Sequence, residues 1–360
     1  MKTSFRWVAI CFAFLALPAK ADILESIEQG KQILSPLAAS KNIAHLAVLN
    51  PDGLVEAVSI RVDPKSNGPG SVESHSPVGY IFEWDRLNGV NTNFRVVQPA
   101  GAIVVAIKRK LKHLPGSAIY VPYSEGLNVP ELRSAGLRYM EETILAAERQ
   151  IRERGVASKI EAGEFAASKI PLELALTLAL IEHIDPDRSQ NEPMEKLLDE
   201  VLVIIGANKG DAYRYAVSPK AKARGLFQFI SKTYNEIRKR YPAAKLKRDF
   251  VSGMDDHLNG AISSFLLFDN DLKFLFEARP DFSKDPPELG RYLAAAYNGG
   301  PSRVVSAIDE SGQLLPHLLK PETRIYIKKY EKVWFLVSEE AVAFRNRVEN
   351  RNMLFPAAIR

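Results

Sequence analysis

The residue with the clearest catalytic potential in this chain is Glu182, which stands near the end of the segment 170–184, IPLELALTLALIEHI. Almost every position of this segment is apolar, a pattern that predicts a helix buried on all sides. Burial raises the pKa of a carboxyl group, and the negative end of a helix dipole acts in the same direction. A carboxyl that stays protonated near neutral pH can serve as a general acid, as glycoside cleavage requires. We therefore identify Glu182 as the candidate catalytic acid.

Three later segments combine small, polar and aromatic residues that suit a sugar-binding cleft. Gly225 allows close approach of the backbone to a ligand, and Gln228 can both donate and accept hydrogen bonds to an acetamido sugar. Tyr297 offers an aromatic face and a hydroxyl to a pyranose ring, and Asn298 follows it where a helix is predicted to stop before two glycines and a proline. The segments are AVSPKAKARGLFQF (216–229), LAAAYNGGPSRV (293–304) and KPETRIYIKKY (320–330).

In this order, the three segments resemble the motifs of Slt-type lytic transglycosylases, lysozyme-like enzymes that cleave peptidoglycan. In the first segment, Phe227 replaces the family's Met, Lys222 stands at a usual glycine position and one extra residue precedes it. The second differs from Ala-Tyr-Asn-Ala-Gly-Pro at one position, and the third contains Glu-Thr-Arg with Tyr326 two residues later.

The resemblance implies cleavage of the β-1,4 bond between N-acetylmuramic acid and N-acetylglucosamine, with formation of a 1,6-anhydro ring. It makes Glu182 both acid and base, places Tyr326 near that acid, and implies neither a cofactor nor a metal. Glu322 and Thr323 fit the N-terminus of a helix after Pro321, where a carboxylate and a hydroxyl meet free N–H groups, and Glu322 is interpreted as structural. The implied substrate-binding residues are Ser218, Gln228, Tyr297, Asn298 and Tyr326.

The spacing of the motifs leaves two interpretations of the acid open. Ser218 stands 36 positions after Glu182, whereas the resemblance implies a spacing of about ten. An ungapped match places Lys209 at the position of the acid, but a lysine cannot replace a protonated carboxyl. Either residues 183–215 form an insertion, with a helix starting at Pro193, and Glu182 returns to the cleft, or the site is degenerate. A degenerate site would make the chain a peptidoglycan-binding or envelope-scaffold protein; a lysozyme-type hydrolase is a further alternative.

We expect an α+β architecture to position these residues. A mixed, strand-rich N-terminal domain should precede an all-α, lysozyme-like domain. A helix is predicted at Asp22–Leu34, and a long one at Val129–Arg154. A loop rich in Gly, Pro and Ser is expected at Asp63–Pro77, and a separate helix at Ser338–Val348. Strands are predicted at His45–Leu49 and Leu54–Val62, with a turn at Asn50–Gly53 between them. Further strands are predicted at Gly79–Trp84, Phe94–Val97, Ala102–Lys108 and Ala118–Val121. The expected divisions are a domain without a readable function at 22–128, a helical linker at 129–165, the lysozyme-like domain at 166–336, and a helix and tail at 337–360.

The first 21 residues predict export to the periplasm or the cell exterior. A basic start, an apolar run of about a dozen residues and small residues before Asp22 are typical of a signal peptide, with cleavage expected after Ala21. Cys11, the only cysteine, lies within it. Cleavage would lower the formal charge from +5 to +2, because the leader holds Lys2, Arg6 and Lys20 and no acidic residue. We expect peptidoglycan as the partner and, since no long basic stripe remains, no nucleic acid; an envelope-machine partner for the N-terminal domain stays open.

Overall fold

The computed structural model of this protein describes residues 22–63, 68–85, 93–111, 116–218, 221–282 and 285–354, with side chains described as far as residue 338. The fold is α+β, as predicted: a strand-rich N-terminal region with two antiparallel sheets precedes a helical C-terminal region. The predicted signal peptide and Cys11 lie outside the described residues. Of the helices within the described ranges, none combines the length and the apolar character needed to cross a membrane.

Seven strands form the two sheets of the N-terminal region. A four-stranded sheet has the order β2-β1-β6-β7, and a three-stranded sheet has the order β3-β4-β5. The hairpin between β1 and β2 turns where it was predicted, because the Asn50 side chain accepts from the backbone N–H groups of Asp52 and Leu54. The strands are β1 (Ile43–Leu49), β2 (Val55–Arg61), β3 (Gly70–Glu73), β4 (Ile81–Trp84), β5 (Phe94–Gln98), β6 (Ile103–Lys110) and β7 (Ser117–Tyr120).

The larger sheet is covered on both faces, which explains the strongly apolar character of β1 and β6. Leu46 and Val104 pack with Phe82 and Phe94 of the smaller sheet. On the other face, alternate residues such as Ala47 belong to the core that continues into the helical region. The first helix packs against this second face.

Eleven α-helices lie within the described residues. Each of the three long helical segments predicted before residue 185 is present, with ends within three residues of the expected ones. The helices are α1 (Ile23–Leu34), α2 (Pro130–Glu153), α3 (Leu172–Ile181), α4 (Arg188–Asn191), α5 (Met194–Asn208), α6 (Ser231–Arg240), α7 (Phe250–Met254), α8 (His257–Ala278), α9 (Pro286–Gly299), α10 (Pro301–Val305) and α11 (Pro321–Leu354).

The helix predicted after Pro193 is α5, and it is part of the core. It crosses α2 at two glycines, where a Cβ on Gly136 would overlap the carbonyl of Leu202 and a Cβ on Gly206 would overlap that of Leu132. The two backbones can approach this closely only because both positions lack a side chain. The helix α2, expected as a linker, therefore contributes buried residues to the helical core.

The last residue of α5 also binds the N-terminal region. The Asn208 side chain accepts from the Val121 N–H at 2.8 Å and donates to the Val121 carbonyl at 3.0 Å. These paired hydrogen bonds are buried, so they hold the end of α5 against the segment that follows β7.

Two sequence-based expectations about elements were wrong. The segment Asp63–Pro77 is not loop throughout, because Gly70–Glu73 pairs with β4; a strand of four residues is too short to show periodicity among turn-forming residues. The helix expected at Ser338–Val348 is not separate either. It is part of α11, which continues through the boundary expected at residue 336, since no glycine or proline interrupts residues 322–354.

Candidate active site

Glu182 occupies the C-cap of α3, and all ten residues of that helix are buried. The side chain of Glu182 itself retains partial surface exposure. Burial raises the pKa of its carboxyl above the ordinary value, although a hydrogen bond from Tyr326 and the charge of Lys329 oppose the shift. The residue is thus partly exposed, and burial biases its carboxyl towards the protonated form.

Tyr326 donates a hydrogen bond from its hydroxyl to Oε1 of Glu182, across 144 residues of sequence. The helix α11 begins at Pro321, as predicted, and Tyr326 lies on its second turn with the side chain buried. The contact expected between this tyrosine and the candidate acid is therefore present in the structure.

Lys329 is the member of the site that sequence reasoning missed. Its ammonium group is buried and donates to the carbonyls of Ile181 at 2.6 Å and Ile184 at 3.0 Å. It also lies 5.1 Å from the centre of the Tyr326 ring. Burial lowers the pKa of Lys329 to about 8. The only sequence signal for Lys329 was its position three residues after Tyr326, which places both side chains on neighbouring parts of the helix surface.

Tyr297 completes an aromatic group beside the carboxyl. Its hydroxyl donates to the carbonyl of Phe227, and its ring packs edge-on against Phe229 at 5.9 Å between centroids. Burial, followed by the negative charge of Glu182, raises the pKa of Tyr297 well above that of a free tyrosine. The same two causes act on Tyr326. Both phenols consequently remain hydrogen-bond donors at any physiological pH.

The loop that carries Gln228 approaches the site through Tyr297, which bonds to its neighbour Phe227. Gly225 has φ +77°, and a Cβ there would overlap the Met254 carbonyl, so only glycine fits. Gln228 has φ +46°, and its side-chain amide donates to the Gly225 carbonyl at 2.7 Å. The partly exposed Gln228 side chain therefore closes its own loop.

Ser218 is also engaged within this loop. Its hydroxyl accepts from the Ala223 N–H at 2.9 Å, and its own N–H donates to the Ala223 carbonyl at 2.8 Å. Lys222, which stands at the expected glycine position, has φ +56°. This exposed lysine takes up the left-handed conformation that a glycine would adopt without strain.

Asn298 links the two remaining motifs. It is exposed near the end of α9, and its side-chain oxygen accepts from the Thr323 hydroxyl at 2.9 Å. Thr323 was expected to meet free N–H groups at the start of α11, but its buried hydroxyl instead bonds across to α9. The helix α9 then stops as predicted, with Gly300 at φ +87° followed by Pro301.

His183, directly after Glu182, faces another part of the protein. Its Nε2 donates to the Leu226 carbonyl at 2.7 Å, and its ring stacks on Tyr213 at 3.6 Å. Burial lowers the pKa of His183 to about 3. The imidazole stays neutral at ordinary pH and joins the C-terminal turn of α3 to the loop before Gln228.

Lys209, the competing match to the acid position, lies exposed at the C-terminal end of α5. It has φ +47°, which ends the helix. Glu182, and not Lys209, is the residue that accepts the hydrogen bond from Tyr326. The folded chain thus brings Glu182, Tyr297 and Tyr326 together, while the described hydrogen bonds of Ser218, Gln228 and Asn298 stabilise the surrounding loops and helix ends.

A cavity of about 820 Å³ lies apart from this cluster, between the smaller sheet and α5. Residues such as Trp84, Arg95, Glu125 and Lys196 line it, and Glu182 and the two tyrosines do not. Within the described part of the chain, no group of three or more His, Cys, Asp or Glu residues is placed to hold a metal ion.

Comparison with known proteins returned no matching family model and no curated protein with significant sequence similarity.

Proposed function

We propose that this protein is a peptidoglycan lytic transglycosylase with Glu182 as its acid and base. The observation that carries the proposal is the contact between Glu182 and Tyr326, which joins the end of an apolar helix to the third motif. The elevated pKa of the Glu182 carboxyl supports a proton donor, and its partial exposure allows a substrate to reach it.

In the proposed reaction, Glu182 protonates the oxygen of the scissile β-1,4 bond as the bond to C1 of the muramic acid unit breaks. The substrate's own 2-acetamido group stabilises C1 while this happens. The resulting Glu182 carboxylate then removes the proton from the C6 hydroxyl, whose oxygen bonds to C1 and closes the 1,6-anhydro ring. One carboxyl is sufficient because the substrate supplies the second nucleophilic group.

Neighbouring residues would influence the protonation state of Glu182 between these two steps. Tyr326 stabilises the carboxylate that forms after the first transfer, because a hydrogen bond to the charged form favours it. The Lys329 ammonium group acts in the same direction. Burial favours the protonated form before the transfer, in opposition to Tyr326 and Lys329.

Product analysis tests the proposal against its alternatives. Purified protein is incubated with peptidoglycan, and the released fragments are analysed by mass spectrometry. Anhydro-muropeptides support the transglycosylase, new reducing ends indicate a hydrolase, and no release indicates a binding or scaffold protein. Glu182→Gln should abolish release, whereas the control Glu322→Gln, in the same set of motifs but exposed, should retain it. Full activity of Glu182→Gln would refute the assignment of the acid.

A further inference from the structure

A concentration of positive charge lies on α6 and the segment that follows it. Residues 232–248 contain seven lysines and arginines and a single acidic residue, Glu236, so this stretch carries a formal charge of +6 within a chain of +5. Our expectation that no basic stripe remains was drawn from the net charge of the whole chain and is wrong at this surface. We call it the basic surface; its residues are Lys232, Arg238, Lys239, Arg240, Lys245, Lys247 and Arg248.

The cations of the basic surface are available to an outside partner. Six of the seven are exposed, and Arg238 is partly so. Only Lys247 forms an ion pair among the described residues, with Asp256 at 2.7 Å. Repulsion between unpaired like charges destabilises the folded state, so such a cluster suggests an anionic partner that offsets it.

Both ends of this segment are attached to the loop that holds Gln228. At one end, α6 starts two residues after Phe229. At the other end, Arg248 leads into α7, whose Met254 carbonyl packs against Gly225. Arg224 of the loop also pairs with Asp255, directly after α7, at 2.7 Å.

The two halves of the basic surface are fixed side by side. The Tyr234 hydroxyl, on α6, donates to the Lys247 carbonyl at 2.6 Å, and the Asn259 side chain accepts from the Lys247 N–H at 2.9 Å. Ten residues of α6 extend about 15 Å. The backbone segments that carry the cations are therefore held together as one platform that starts at the Gln228 loop.

We propose that the basic surface binds the carboxylates of peptidoglycan stem peptides on the strand held at the Glu182 site. This inference rests on the proposed function for the identity of the polymer. A glycan strand is long and presents its peptide carboxylates repeatedly, so a platform about 15 Å long beside the cleft can contact several of them. Electrostatic complementarity of this kind supplies retention and orientation of the strand.

Binding to purified, insoluble sacculi tests this proposal without any need for catalysis. The parent protein carries Glu182→Gln, so that the sacculi stay intact. A triple variant, Lys239→Gln/Lys245→Gln/Arg248→Gln, removes three exposed cations that have no ion pair among the described residues. The control, Lys41→Gln/Arg61→Gln/Lys110→Gln, removes three exposed cations from the N-terminal region. Circular dichroism melts establish that each variant is folded.

We expect the triple variant to bind sacculi about tenfold more weakly than its parent, because each exposed ion pair contributes a factor of roughly two. The control should bind as its parent does. Amidation of the sacculus carboxylates should reduce binding of the parent at least to the level of the triple variant. Added salt should weaken the parent and the control more than the triple variant, which retains four of the seven cations.

Equal binding by the two triple variants, or binding unaffected by amidation, would overturn the proposal. A triple variant that loses binding to vesicles containing phosphatidylglycerol more than it loses binding to sacculi would also overturn the proposal, because lipid phosphates would then be the partner. The outcomes are distinct from those for the proposed function. Anhydro products together with equal binding refute only the basic surface, whereas charge-dependent binding without cleavage by the wild type refutes only the enzyme.

Discussion

Removal of the Tyr326 hydroxyl should raise the pKa of Glu182 and shift the high-pH limb of the activity profile to higher pH. In Tyr326→Phe, the Glu182 carboxylate loses a hydrogen bond that favours its charged form. A hydrogen bond to a charged group contributes about 1.5–3 kcal/mol, and one pKa unit corresponds to about 1.4 kcal/mol. Because Glu182 is partly exposed, water replaces some of the lost interaction, so we expect a rise of about one unit.

The assay combines a pH–rate profile of peptidoglycan solubilisation with carbon NMR of the Glu182 carboxyl. Activity should fall at high pH as Glu182 loses its proton, and this limb should move to higher pH by about one unit in Tyr326→Phe. The NMR titration should show the same displacement. It reports on the carboxyl even if the rate is too low to measure.

Tyr330→Phe is the matched control, one turn further along α11. The Tyr330 hydroxyl is buried and has no hydrogen-bond partner among the described residues. Its removal deletes the same atom from the same helix without changing the hydrogen bonds of Glu182. An unchanged titration of Glu182 in Tyr326→Phe, or an equal displacement in Tyr330→Phe, would refute the reasoning.

Two further predictions concern the neighbours and the charge of the site. Lys329→Met should lower the free energy of unfolding by about 1–3 kcal/mol, since it removes the Lys329 donor from the Ile184 carbonyl and one of two donors from the Ile181 carbonyl. It should also raise the pKa of Glu182. Denaturant titration against the exposed control Lys328→Met checks the loss of stability, and equal stabilities would contradict it. In the folded wild type, the pKa of Glu182 is raised above the ordinary 4.5, so the folded state binds this proton more tightly than the unfolded state. The stability of the wild type relative to Glu182→Gln should therefore fall as the pH rises from about 4.5 through the raised pKa of Glu182. Urea unfolding between about pH 4 and pH 8 measures this difference, and a difference independent of pH would contradict the shift.

Local patterns were sufficient for most of the elements. The turn at Asn50–Gly53, the apolar run before Glu182 and the Gly300-Pro301 stop each act through residues close in sequence, and each lies where it was predicted. The strand at Gly70–Glu73 was missed because its pairing with β4 depends on residues about ten positions away. The long α11 was divided wrongly because no local signal set its end.

The candidate site likewise contains residues that the sequence indicated and contacts that only the fold revealed. The apolar run before Glu182 made this residue the candidate acid, although Lys209 remained a competing match, and the motif residues Tyr297 and Tyr326 lie beside it. Lys329 was missed because its function depends on the carbonyls of a helix far away in sequence. The hydrogen bonds that occupy Ser218, Gln228 and Asn298 could not be derived either, since they depend on loop conformations with positive φ and on the approach of α9 to α11.

The sequence by itself determined the α+β class, most strands of the N-terminal region and the apolar helix that ends in a carboxyl, because propensity and periodicity are properties of neighbouring residues. Only the tertiary structure decided which charged residue meets Tyr326. The sequence left Glu182 and Lys209 as competing positions, and the decision required α5 to pack on α2 at Gly136 and Gly206. That close crossing keeps the intervening residues in the core, leaves Lys209 exposed at a helix end, and lets Glu182 contact a tyrosine 144 residues away.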